Sequence, residues 1–145
     1  MVGQVAPVLY WDSSAVIAAL LPDPHHDEAK PWADRPSAHI ISTLTWAEVL
    51  AVISRVERDG KVPPTAAEAA REEISRPPWA RVQESPDWVI LRELATKWPL
   101  AGPDLWHLAL AKTLQQEQPE LRLLSFDARL SRAAAGEGLA ASRTR

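Results

Sequence analysis

Val8-Leu-Tyr-Trp-Asp-Ser-Ser-Ala-Val-Ile-Ala-Ala-Leu-Leu21 decides the reading of the fold. Its first four residues form a continuous apolar run, too short for a helix and suited to a strand buried on both faces. Asp12 ends that run, Ser13-Ser14 opens the apolar helical stretch Ala15–Leu21, and Pro22 stops it. Strand, acid, helix is the layout of an open α/β sheet, in which ligands bind beyond the carboxyl ends of the strands.

Working outward, the same layout recurs. Ala38-His-Ile-Ile41 reads as a second short strand, followed by Ser42-Thr-Leu-Thr45 and a helix from Trp46 to about Arg58 that Asp59-Gly60 ends. Between them, Asp23–Pro36 is polar and punctuated by proline, with a short helix expected around His26–Lys30. Thr65–Ser75 is a second, weakly amphipathic helix, and Trp79–Gln83 a short strand after the Pro77-Pro78 break. Ser85-Pro86 supplies an N-cap and a first-turn proline for a helix over 87–97. Gly102-Pro-Asp-Leu-Trp-His-Leu-Ala-Leu-Ala-Lys112 opens a helix that reaches about Gln116, with Asp104 on its first turn. Leu121–Ser125 is the last strand, Asp127 to about Ala135 the last helix, and Gly136-Glu-Gly138 a turn. Strands alternating with helices predict an α/β fold with a largely parallel sheet. Neither an internal repeat nor a linker interrupts residues 1–145, so a single domain is expected.

Composition narrows the function classes. The chain has no cysteine, which excludes disulfides and a thiolate zinc site. Its longest apolar run, Ala15–Leu21, is too short for a bilayer, and the N-terminus lacks a basic segment followed by an apolar one. A cytoplasmic protein with no membrane contact is the expectation. A net charge of -3 argues against non-specific nucleic-acid binding through a broadly basic surface. Four acids gathered in one pocket would account for that excess and leave the remainder near neutral, with Arg129, Arg132, Arg143 and Arg145 close to the C-terminus.

Those four acids are Asp12, Glu48, Asp104 and Asp127, each at or just after the end of an apolar segment. Singly, each has a structural explanation. Asp12 and Asp127 suit helix N-caps, Glu48 stands at capping-box spacing from Thr45, and Asp104 complements a helix dipole. Jointly they ask for more. Acids at strand ends and at the starts of the following helices share one edge of a parallel sheet. Carboxylates crowded there repel one another or take up protons unless a cation neutralises them. Mg²⁺ and Mn²⁺ suit all-oxygen ligands, and a metal-bound water could attack a phosphodiester.

The stretches Leu9-Tyr-Trp-Asp12-Ser-Ser-Ala-Val-Ile, Ser42-Thr-Leu-Thr-Trp-Ala-Glu48-Val-Leu, Pro103-Asp104-Leu-Trp-His107-Leu-Ala-Leu-Ala and Leu123-Leu-Ser125-Phe-Asp127-Ala-Arg-Leu-Ser-Arg-Ala together resemble the PIN-domain ribonucleases, especially the small VapC-like toxins of type II toxin–antitoxin pairs. They run in the family's order and reach nearly end to end. The resemblance implies a three-layer α/β/α sandwich around a central, mostly parallel sheet. It also implies Mg²⁺- or Mn²⁺-dependent endonuclease chemistry on RNA, inhibition by a cognate antitoxin, and commonly a homodimer. Carried across by position, it makes Asp12 and Asp104 direct metal ligands. Glu48 and Asp127 complete the acidic pocket, and Ser125 orients Asp127 or a water. Trp11 and Trp106 are bulkier than the resemblance leads one to expect, which bears on pocket shape rather than on the chemistry.

Other residues carry weaker signals. His107 stands one helical turn after Asp104, yet its apolar flanks favour a structural histidine over a general base. His25 and His26 show no clear partner. Trp11, Trp88 and Trp106 lie in apolar patterns that suit core or interface, while Trp46, beside the helix that carries Glu48, is a candidate stacking platform for bases. Arg129 and Arg132 suit phosphate or, more simply, solvent. Two other strand–acid folds fit poorly. A HAD-type phosphatase needs a second acid where Ser14 stands, and a phosphoacceptor receiver needs an acidic pair that Asp12-Ser13 does not supply. The main alternative is a non-catalytic PIN fold that sequesters an antitoxin or RNA, and the presence of all four acids counts against it.

Overall fold

The computed structural model describes residues 7–141, so the arginines Arg143 and Arg145 lie outside the described residues. In chain order the elements are β1 (Val8–Trp11), α1 (Ser13–Leu20), α2 (His26–Ala33), β2 (Ala38–Ser42), α3 (Thr43–Arg58), α4 (Pro64–Ile74), β3 (Trp79–Val82), α5 (Trp88–Lys97), α6 (Gly102–Gln115), β4 (Arg122–Leu124) and α7 (Ala128–Gly136). The strands form one parallel sheet in the order β3-β2-β1-β4. Beyond β4, Ala140 adds a single parallel bridge to Leu123.

Both sheet faces are covered, as a parallel sheet requires. The pleat of β1 sends Leu9 and Trp11 into a core shared with α1 through α4, and Val8 and Tyr10 into a second core with α5, α6 and α7. Strand β2 divides likewise, Ile41 to the first core and Ile40 to the second. The expected α/β/α sandwich is therefore what forms. Right-handed crossovers explain which helices lie on which face. The chain steps from β1 outward to β2 and β3, then returns past β1 to β4, and the reversal moves the connecting helices to the opposite face. The reversal leaves the carboxyl ends of β1 and β4 side by side as the switch point of the sheet. There, the Asp12 N–H donates to the Leu124 carbonyl at 3.2 Å.

Several local expectations shift. Helix α3 begins three residues before Trp46, because Ser42, not Thr45, is its cap: the Ser42 hydroxyl accepts from the Thr45 N–H at 3.0 Å. Helix α5 is capped by Asp87, which accepts from the N–H groups of Val89 and Ile90, so Ser85 and Pro86 fall outside it. Helix α2 continues through Pro31 to Ala33. Burial of Ala29 and Trp32 holds that turn, and the ring removes one hydrogen bond in the helix's last turns. Gly136 closes α7 instead of forming a turn. A Cβ built there would lie 2.5 Å from the Trp98 ring, so the glycine is a point of close packing. Trp88 stands 65% exposed on α5, outside the core.

Candidate active site

Asp12 extends β1 by one residue and lies almost wholly buried, at 2% exposure. Three hydrogen bonds hold it. Its Oδ1 accepts from the Ala15 N–H at 2.9 Å, as the cap of α1, and from the Ser14 hydroxyl at 2.8 Å. Its Oδ2 accepts from the Ser125 hydroxyl at 2.5 Å. Ser14 also accepts from the Phe126 N–H at 3.0 Å, and Ser125 from the Asp127 N–H at 3.0 Å. The end of β1 is thus stitched to the β4–α7 loop. Asp127 caps α7 through its Oδ1, which accepts from the Leu130 N–H at 2.9 Å.

Glu48 comes from α3. With the helix start at Ser42 it stands in the second turn, not at the capping-box position, and its carboxylate is free to reach across the sheet edge. Its Oε1 accepts a very short hydrogen bond from the Ser13 hydroxyl and lies 3.3 Å from His107 Nε2. Buried His107 is held from its other nitrogen, Nδ1, by the Tyr10 hydroxyl at 2.7 Å. An ionised carboxylate only accepts, so Nε2 is assigned the proton that faces Glu48, and a neutral ring then accepts from Tyr10 at Nδ1. Burial pushes the Tyr10 phenol far up, with the charges of Asp12 and Glu48 adding and a hydrogen bond from Ser42 opposing, which keeps it a donor. Tyr10, His107 and Glu48 form a relay from the second core to the pocket.

Asp104 stands on the first turn of α6, makes no capping bond, and has no hydrogen-bond partner among the described residues. Burial raises its pKa, as do the charges of Asp127 and then Glu48, while His107 lowers it. Those influences place Asp104 within the field of Asp127 and Glu48. Asp12 is raised as well, by burial against its three hydrogen bonds. Glu48 is lowered, first by the hydrogen bond from His107, with burial opposing and Ser13 assisting. The pocket therefore holds two carboxyls that resist ionisation beside one that favours it.

The donor chemistry suits a hard divalent cation. A carboxylate offers about four lone-pair sites; Asp12 uses three, the two bonds to Glu48 both fall on Oε1, and Asp104 uses none. Among the described residues, no three of these groups are yet drawn together tightly enough to enclose an ion. Mutual repulsion is sufficient reason for them to stand apart.

Of the residues that hold the acids, sequence reasoning named Ser125, which binds the Asp12 carboxylate and the Asp127 N–H, but missed the others. Ser13 and Ser14 read as a helix opening, and only their place directly after Asp12 hinted at more. Nothing along the chain joins Tyr10 to His107. His25 stacks on Phe126, with ring centroids 4.9 Å apart, and His26 Nδ1 lies 2.8 Å from the Ala18 carbonyl oxygen. Trp11 does not touch the pocket, since it is buried edge-on against Trp79 and donates to His39 Nδ1 at 3.0 Å. Trp106, by contrast, lines a shallow cleft with Thr43, Leu44, Gly102 and Pro103. Arg129 and Arg132 face Trp98, Pro99 and Leu100.

Comparison with known proteins identifies the fold. The family model for the PIN domain covers residues 9–136. The chain belongs to the PIN-domain family. Among curated proteins, none matches it in sequence. Similar solved structures include the Mycobacterium tuberculosis toxin VapC20, described as cleaving the sarcin-ricin loop, with 17% identity and a TM-score of 0.59 over 86% of this chain and 94% of that one. PAE2754 from Pyrobaculum aerophilum shares 21% identity and a TM-score of 0.61 over 90% and 87%. FitAcB from Neisseria gonorrhoeae shares 16% and 0.60 over 88% and 94%. At these identities the likeness is one of fold. Among the described residues, no helix of this PIN domain is long and apolar enough to cross a membrane.

Proposed function

We propose that this PIN domain is a divalent-metal-dependent endoribonuclease acting as the toxin of a toxin–antitoxin pair. The observation that supports the reading is that Asp12, Glu48, Asp104 and Asp127 stand on elements that begin or end at the switch-point edge of the sheet, where burial raises Asp12 and Asp104 above the usual carboxylate range and the charges of Asp127 and Glu48 add to the rise at Asp104. Carboxylates gathered at one sheet edge are costly unless something positive sits among them.

Asp12, Asp104, Asp127 and Glu48 would hold Mg²⁺ or Mn²⁺. The ion, when bound, neutralises the acids, activates a water and stabilises charge on the phosphodiester. This chain's own residues do the positioning. Ser125 and Ser14 fix the Asp12 carboxylate and tie it to Asp127 across the loop. Ser13 and His107 aim Glu48 and keep it ionised through contacts on one oxygen, leaving the second available as a proton acceptor. Tyr10 holds His107 in the tautomer that donates to Glu48, so His107 acts by positioning. Cleavage leaves a phosphate monoester and a hydroxyl, and the proton released by the attacking water is within the competence of a carboxylate such as Glu48.

An antitoxin, a homodimer and a cytoplasmic setting belong to the same reading. Trp88 and Val89, both 65% exposed on α5 beside Arg92 and Glu93, form an apolar patch of the kind that partner proteins cover. The test is cleavage of a panel of structured RNAs with Mg²⁺, Mn²⁺ or EDTA, beside Asp104→Asn. Cleavage that needs metal and disappears in the variant is expected. Absence of both cleavage and calorimetric metal binding would refute the enzyme and leave a PIN-fold binding module.

A further inference from the structure

At the edge of the sheet, beside β3 and the start of α3, lies a cleft of about 390 Å³ whose character differs from that of the acidic site. Thr43, Trp46, Ser75, Arg76, Arg81 and Gln83 are among its walls. The Arg81 guanidinium lies over the Trp46 ring, 4.0 Å from its centroid. Neither Arg76 nor Arg81 pairs with a carboxylate among the described residues, although the chain as a whole is acidic. Trp46 also keeps a buried indole N–H with no acceptor among the described residues, a donor that a ligand shifting the ring could satisfy. We propose that this cleft is a subsite for single-stranded RNA, taking a base against Trp46 and the adjoining phosphates on Arg81 and Arg76.

The inference deepens the ribonuclease reading and rests on it. Thr43 connects the two places: it lines this cleft and also the shallow one formed with Leu44, Gly102, Pro103 and Trp106. Asp104 follows Pro103 directly in the chain, so the shallower cleft is walled by the immediate neighbour of one acid. A pocket of four carboxylates repels a polyanion, and an acidic chain supplies no general attraction to correct that. Cations are then needed elsewhere along the path of the strand, and two unpaired arginines stand in this cleft. A flat indole with a guanidinium on its face suits a base, because stacking on an aromatic is indifferent to base identity. An acidic peptide would use the charges and leave the ring unused.

The test separates binding from cleavage. A short labelled single-stranded RNA of mixed sequence is titrated, with Mg²⁺ present, into the Asp104→Asn background and into the same background carrying Arg81→Ala, Arg76→Ala or Trp46→Phe, with affinity read by fluorescence anisotropy across a salt series. Arg81 and Arg76 are exposed, so their replacement leaves the core intact. Each arginine variant is expected to weaken binding about fivefold or more and to reduce the slope of log Kd against log salt by about 0.7, the value for one phosphate contact on a single strand. Trp46→Phe, which keeps an aromatic face, should stay within about twofold. Unchanged affinity and slope in both arginine variants would overturn the subsite even if the parent protein cleaves RNA. Loss of binding in those variants from a chain that never cleaves would uphold the subsite and refute only the catalytic reading. Tight binding of oligoglutamate with none of the RNA would overturn the proposal in favour of an acidic protein segment.

Discussion

Tyr10→Phe removes one oxygen from a fully buried ring and leaves its packing in place. The hydroxyl it deletes is the 2.7 Å partner of His107 Nδ1. His107 is itself 2% exposed, so water does not replace the lost donor. A buried acceptor left without its partner costs about 1–3 kcal/mol. For a chain of this length each kcal/mol lowers Tm by about 2–4 °C, which gives a fall of about 2–12 °C. Calorimetry of the metal-free protein reads that directly. The relay adds a second expectation. Once His107 is loosened, Glu48 loses its aim, so cleavage at saturating RNA should fall while RNA affinity holds. A double-mutant cycle with His107→Leu isolates the pair, and contacting residues are expected to couple by about 0.5–3 kcal/mol. A Tm within about 1 °C of the parent, or additivity to within about 0.5 kcal/mol, would refute the relay.

Two further outcomes follow from the same physics. Asp104→Asn should abolish metal-dependent cleavage yet raise the Tm of the metal-free protein at neutral pH, because it deletes a carboxylate that burial and Asp127 destabilise. The pH dependence carries the same sign. Asp12 and Asp104 have folded pKa values above their unfolded ones, so their penalty applies above the raised values and is relieved as pH falls through them. Glu48 is depressed, so its contribution is present above the unfolded value and is lost as pH falls through the lowered one. Mild acidification from about pH 7 should therefore first stabilise the metal-free protein and then, below about pH 4, destabilise it; a Tm that only declines from neutrality contradicts the assignment, and the early gain should shrink in Asp104→Asn. Gly136→Ala would gain up to about 1 kcal/mol in helix propensity. Overpacking against Trp98 costs about 1–3 kcal/mol, since that ring is held by its N–H bond to Glu137 at 2.8 Å. A lower Tm with altered tryptophan emission is expected, and an unchanged or raised Tm would show that the ring can move aside.

Much of the molecule was legible in one dimension because its determinants are local. A four-residue apolar run between polar stretches fits only a strand buried on both faces, and strands separated by helices can pair in parallel only through crossovers. Asp12, Asp104 and Asp127 were readable because each lies at a junction that the sequence itself marks, and Ser125 only through the family resemblance. Local signals misplaced what they could not arbitrate. Thr45 and Ser42 both offer a hydroxyl, and only the end of β2 at Ser42 decides which one caps α3 and therefore where Glu48 points. Ser85 and Asp87 posed the same choice for α5. Pro31 reads as a breaker until Ala29 and Trp32 are seen to be buried.

What the chain alone determined is the alternation of elements, the parallel sheet and the acids at its carboxyl edge, all consequences of period, length and breaker residues. The tertiary structure decided which side chains hold those acids. Tyr10 meets His107, and Ser13 meets Glu48, only because the crossovers carry α3 and α6 to the same end of the sheet. The separation of Trp46 and Arg81 along the chain likewise conceals a contact that exists once β3 lies beside β2 and α3. Side-chain partners distant in sequence depend on sheet order, and sheet order is fixed by the packing of both cores at once.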